Sequence, residues 1–229
     1  MKIKLFYLTV LLLVTASVSA EEWKRDFAVG ANPKLRVQTN DASIDIRSGI
    51  GNIIIRVVAD GRHIGPGELT VNAQQTGDSV SLQVKIPEHH IRFNFSGNSV
   101  RIEVSVPQVM ALDLSSSDGA VHVSNVKGEA RLGTADGSIR VDNFDGNLHA
   151  RTSDGSVEVS GRFDLLNLST SDGHIPAEVW KGSHMNGDWN LRTSDSSITL
   201  RMPNDFPAFL DAWTIPIFSF SFPSRSAAA

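Results

Sequence analysis

The sequence predicts an all-β fold: a β-solenoid, single-stranded and parallel β-helix-like, with two-strand rungs of about 18 residues, preceded by a less regular β-rich region. Three observations carry this. Gly, Ser, Asp, Asn, Val and Ile are plentiful, and apolar and polar residues alternate at period two, which is the strand signature. The turn [ST]-x-D-G recurs, so that Asp118, Asp136, Asp154 and Asp172 stand 18 residues apart and Asp195 follows after 23. Each copy is too short to bury its apolar face alone, and stacking the copies about 4.8 Å apart along hydrogen-bonded strands gives all of them a shared dry interior.

The first 20 residues, MKIKLFYLTVLLLVTASVSA, join Lys2 and Lys4 to an apolar run from Leu5 to Val14 and small residues suited to cleavage before Glu21. This pattern predicts a secretory signal peptide; the apolar core is too short for a membrane span. Its removal takes two lysines and no acid, moving the formal charge from −4 to −6. A mildly acidic exported chain is a poor partner for nucleic acid or anionic lipid. There is no cysteine, which excludes disulfides, a thiol nucleophile, a Cys-based zinc site and a lipidated N-terminal cysteine. No other segment reaches the ~18 apolar residues of a spanning helix.

Residues 21–107 form the irregular β-rich part. LRVQT, ASIDI, NIIIRVVAD, ELTVNAQ, SVSLQVKI and SVRIEVSV are separated by Gly, Pro and Asn turns, which suits either an antiparallel sheet or wider solenoid coils capping the N-terminal end. Within it, LRVQTNDASIDIRSG (35–49) is a weaker copy of the repeat, with Asp41 at the aspartate position and Ala42 at the glycine position.

Residues 108–206 hold the repeats proper. Alternation predicts inward columns Leu112/Leu148/Leu166/Trp189, Val121/Ile139/Val157/Ile175/Ile198 and Ser116/Thr134/Thr152/Thr170/Thr193. The outward positions are mixed: Asp113, Arg131, His149, Asn167 and Asn190 in one column, His122, Arg140, Glu158, Pro176 and Thr199 in another. The fourth copy is longer and must bulge at WKGSHMNGD (180–188), the loop with room for a distinctive contact. Residues 207–229 depart from the pattern: FLDAWT aligns with the start of another copy, but IPIFSFSFPSRSAAA replaces the expected turn, so the tail is either a divergent cap or an interrupted coding sequence.

The aspartates Asp118, Asp136, Asp154 and Asp172 are candidate calcium ligands, but each turn offers one carboxylate where calcium takes six to eight oxygens. Turn chemistry is favoured, with the carboxylate accepting an N–H two residues on and Gly supplying positive φ. Stacked carboxylates ~4.8 Å apart repel by ~0.9 kcal/mol in water, so the ladder must be solvated or neutralised. Arg140 and Glu158 read as an exposed ion pair rather than an acid/base pair. His89 and His90 in PEHHIRF match no metal motif, and there is no G-x-S-x-G, P-loop or complete G-x-G-x-x-G. Trp180, Trp189 and Trp213 could form an aromatic platform, though Trp189 as a core residue and the others as an end plug is the preferred reading. The binding candidates are thus Trp180, His184, Trp189, His149 and Arg151. No cofactor is expected.

The repeats [ST]-x-D-G-x-[VI]-x-[VI], preceded by a strand ending in Val106 and Pro107 and by a leader, resemble a bacterial exported β-strand-repeat domain of unknown function labelled "putative adhesin". The resemblance spans roughly residues 28–206 and implies an exported, non-catalytic β-solenoid. The expectation is therefore a binding scaffold of the cell envelope or cell surface, periplasmic, envelope-associated or extracellular, whose partner is an envelope or extracellular protein or a polysaccharide. An inert envelope protein and a carbohydrate-active β-helix enzyme are the alternatives. Long wall-forming loops around paired carboxylates, which a glycosidase needs, are missing.

Overall fold

The computed structural model describes residues 20–49, 51–87 and 99–207, and the backbone of 218–221. The leader, His89, His90, Trp213 and FLDAWT lie outside the described residues. Among the described residues there are sixteen strands and no helix, so the all-β expectation holds.

The repeats form β8 (Val109–Ser115), β9 (Val121–Ser124), β10 (Lys127–Gly133), β11 (Ile139–Arg151), β12 (Val157–Ser169), β13 (Ile175–Val179), β14 (Asn190–Arg192) and β15 (Ile198–Arg201). They pair in parallel, at the repeat spacing. Leu112 faces Ala130, Ala130 faces Leu148 and Leu148 faces Leu166; in the second file Val121 faces Ile139, and Ile139 faces Val157. The chain turns at each T-x-D-G. At the second corner it bends without leaving the ladder in β11 and β12, which therefore run 13 residues each. Alternate residues fall inward, and Leu148, Leu166, Val157 and Ile175 are fully buried.

The N-terminal part combines parallel coils with an antiparallel cap. β2 (Lys34–Thr39) and β3 (Ser43–Ser48), the weaker copy, stack in parallel on β8 and β9, with Leu35 opposite Leu112 and Ile44 opposite Val121. On their far side, β6 (Ser79–Lys85) pairs β2 and β7 (Val100–Val106) pairs β3, again in parallel. Three antiparallel strands close this end: β5 (Thr70–Thr76) on β6, β4 (Ile53–Ala59) on β7, and β1 (Glu21–Phe27) on β4. Spatial order thus departs from chain order, and the sheet runs without a break past residue 107. At the other end β16 (Phe218–Ser221) pairs β15 in parallel.

The core carries a feature that the leucine and valine columns do not announce. Phe144 and Phe163 are fully buried and stacked, with centroids 6.3 Å apart. Trp189 meets Phe163 edge-on at 6.4 Å and Phe206 at 5.3 Å, extending an aromatic file along the second corner. Trp189 is half-buried there, its Nε1 donating to the Asp164 carbonyl at 3.3 Å. It is a core residue and is not presented as a platform with the exposed Trp180.

Candidate functional site

The T-x-D-G turns present the repeated aspartates. Asp118, Asp136, Asp154, Asp172 and Asp195 are all exposed. The turn is held by other atoms than the sequence predicts. Thr152 Oγ1 accepts the Gly155 N–H at 3.3 Å and donates towards two carbonyls of the preceding repeat copy, Ala135 at 3.0 Å and Gly137 at 2.9 Å. Thr134 and Thr170 repeat the pattern one copy away on either side. The Asp154 carboxylate takes no part; the backbone N–H groups of Ser153 and Asp154 both reach the Ala135 carbonyl.

The glycine is likewise needed for a different reason. Gly155 is not in the left-handed region, but a Cβ there would overlap the Gly137 carbonyl oxygen, and Gly137 and Gly173 are crowded in the same way by Gly119 and Gly155. Successive turns approach so closely at this corner that only hydrogen fits. Among the described residues no group of three or more His, Cys, Asp or Glu side chains is placed to hold a metal ion.

The outward face of β8, β10, β11, β12 and β14 forms a shallow groove of about 490 Å³. Its floor is strand backbone, and its polar wall includes Asp113, Arg131, His149, Arg151, Asn167 and Arg192. The parallel register sets these side chains in two columns: Arg131 faces His149 and His149 faces Asn167, while Gly133 faces Arg151 and Arg151 faces Ser169, which faces Arg192. Asn167 Nδ2 lies 3.2 Å from His149 Nδ1. Asp113 is paired with Arg36 at 2.7 Å and Arg131 with Glu129 at 2.5 Å.

His149 and Arg151, both expected from the sequence, therefore meet in one groove. Arg192 was not among the expected site residues. Its signal was available: LRTSD (191–195) repeats ARTSD (150–154), so the two arginines share a phase.

The second outward face carries a chain of charges. Asp45 holds Arg47 at 2.7 Å, His122 stands 3.7 Å from Asp45 and 3.0 Å from Asp142, and Arg140 bridges Asp142 and Glu158, each at 2.8 Å. The Arg140–Glu158 pair expected from the sequence is present. Burial works against the charge of Asp142, but hydrogen bonds from Arg140 and His122 outweigh it and hold the carboxyl below its ordinary value.

The 180–188 loop is pinned rather than loose. Ser183 Oγ accepts the Phe163 N–H at 3.0 Å and donates to the Trp180 carbonyl at 2.9 Å, and the His184 and Asn186 N–H groups reach the Phe163 and Asp164 carbonyls. Trp180, His184 and Met185 are left exposed on it.

Fold and surface together define a repeat-built all-β protein that presents stacked polar columns. The chain belongs to the Toastrack DUF4097 family, whose model matches residues 34–211. It is similar in structure to a putative cell adhesion protein from Clostridium sporogenes, at 7% identity and a TM-score of 0.42, covering 89% of this chain and 94% of that one. It is also similar to a putative adhesin from Bacteroides fragilis, at 12% identity and a TM-score of 0.34, covering 90% and 95%. A third similar structure is a putative lipid binding protein from Parabacteroides distasonis, at 15% identity and a TM-score of 0.39, covering 88% and 93%. No curated protein matches the chain. No helix among the described residues is long and apolar enough to cross a membrane.

Proposed function

We propose that the protein is an exported, non-enzymatic binding scaffold of the cell envelope or surface, adhesin-like, built as a β-solenoid of two-strand rungs. The observation that carries this is the groove: strands from the repeat copies contribute equivalent outward positions to one continuous face. A ladder of similar shallow sites favours an extended or multivalent partner over one small substrate. The leader, with no other apolar run of spanning length, supports export.

Gly133 offers a clean test, because it lines the groove and a Cβ there meets nothing within 4 Å. Wild-type protein should co-sediment with isolated cell envelopes, and Gly133→Phe, which fills the groove without touching its charges, should lose that retention while keeping its melting temperature. Equal retention of both proteins refutes the binding face. Retention of neither favours an inert envelope protein, and release of soluble product from envelope polysaccharide favours an enzyme.

A further inference from the structure

We propose that this groove binds a linear acidic polysaccharide of the polyuronate class, laid along the stacking direction and held by Arg131, Arg151 and Arg192. The proposal rests on the groove being the binding face and adds the chemistry of its ligand.

The charge pattern is the first argument. The chain is acidic overall, at −4, yet the groove is cationic. Its carboxylate, Asp113, is neutralised by Arg36 at 2.7 Å. Arg131 is shared with Glu129. Among the described residues, Arg151 and Arg192 have no acidic group within 4 Å of their guanidinium nitrogens, although both are exposed. Two uncommitted guanidinium forks on one face form a receptor for carboxylates, which they can hold through two parallel hydrogen bonds.

Spacing supplies the second argument. Arg151 and Arg192 are in one column with Ser169 between them, so they stand two strand spacings apart, about 9.6 Å. Arg131 lies one strand before Arg151 in the adjoining column. Cations repeating along a straight axis suit a chain whose charges also repeat, and successive weak contacts add through effective concentration.

The remaining lining decides between polyanions. His149, Asn167, Ser169 and Asn190 present small donors and acceptors suited to sugar hydroxyls, and among the described residues no Phe, Tyr or Trp lines the groove. Duplex nucleic acid asks for many more cations than this groove holds, and single strands for rings on which bases stack. A neutral glycan would leave both arginines without partners.

The test uses the full chain on immobilised polygalacturonate, its fully methyl-esterified form and double-stranded DNA. Wild-type protein should bind polygalacturonate in a salt-sensitive manner, and neither comparison polymer. Arg151→Gln and Arg192→Gln should each weaken binding roughly tenfold, the scale of one charge-assisted hydrogen bond. The double variant should abolish binding, Arg151→Lys should weaken it less than Arg151→Gln, and Glu158→Gln on the other face should change nothing. Unchanged binding in the double variant, equal binding to the methyl ester, a preference for DNA, or failure of wild-type to bind polygalacturonate overturns the proposal. If wild-type fails here while Gly133→Phe still abolishes envelope retention, the ligand class is wrong and the binding face stands. If Gly133→Phe has no effect either, both fail.

Discussion

Thr152 Oγ1 lies 2.9 Å from the carbonyl oxygen of Gly137, a residue of the preceding repeat copy, while accepting the N–H of Gly155 in its own turn. One buried hydroxyl thus fastens two copies of the repeat and closes the turn that separates them. The threonine of the T-x-D-G motif is the staple between copies, and the aspartate of the same turn is exposed to solvent.

Thr152→Val keeps the shape and removes the hydroxyl at a site 2% exposed, taking that partner from the Gly155 N–H and the Gly137 carbonyl, while the Ala135 carbonyl keeps the Ser153 and Asp154 N–H groups. A buried polar group left unsatisfied costs about 1–3 kcal/mol. Urea denaturation should show a loss on that scale, with Thr152→Ser retaining most of the stability; a neutral Thr152→Val contradicts the staple.

Gly155→Ala introduces a Cβ against the Gly137 carbonyl, a rigid neighbour, so the rungs must part. Overpacking of this kind costs about 1–3 kcal/mol, occasionally more. Gly133→Ala, with open space around its Cβ, should stay within about 0.5 kcal/mol of wild-type. Thermal melts of the two variants side by side check the contrast, and similar melting temperatures would refute the close approach.

Asp154→Asn should leave stability unchanged or raise it slightly at low salt, because the carboxylate is exposed and its turn is hydrogen-bonded to the equivalent turns that carry Asp136 and Asp172. Asp136→Asn combined with it should enlarge the gain, and added salt should erase it. A loss of stability in the double variant would restore the aspartates as turn-forming groups.

Asp142 gives a pH dependence of fixed sign. Its folded carboxyl titrates below the ordinary value, so the stabilisation is present at neutral pH and is lost as pH falls through the folded value, below about pH 4. The side chain is 36% exposed, so solvent screens the effect and it is small. Urea midpoints from pH 7 to 3 should fall further for wild-type than for Asp142→Asn; parallel curves would contradict this.

Much of the fold was legible because two periods coincide. Alternation separated Leu148 and Val157 from His149 and Glu158, and the 18-residue spacing aligned Val121, Ile139 and Val157. The stacking of residues 35–49 on the first full copy was visible because Leu35, Val37, Ile44 and Ile46 keep the pattern. The parallel pairing of β6 on β2 and of β7 on β3 was not visible, since these strands are inserted out of chain order and share no spacing with their neighbours. The aromatic file escaped for a related reason: a register shift between Val141 and Phe144 sets Phe144 opposite Gly161 and Phe163 opposite Gly146, so the two rings do not share the repeat spacing. In the groove, His149 and Arg151 could be read as outward residues. The lack of an acidic partner at Arg151 and Arg192 depends on which charges the corners bring near, and no single-strand pattern encodes that.

The central claim is that residues 18 apart stand side by side on one face. This cysteine-free chain allows a direct measurement. His149→Cys with Asn167→Cys places two thiols on directly paired residues, whereas His149→Cys with Asn190→Cys places them two strands apart, about 9.6 Å. A disulfide bridges Cα atoms up to about 7 Å apart. Mild oxidation followed by thiol counting should show an intramolecular disulfide in the first pair and free thiols in the second. Free thiols in the 149/167 pair, or equal bridging in the 149/190 pair, would contradict the account.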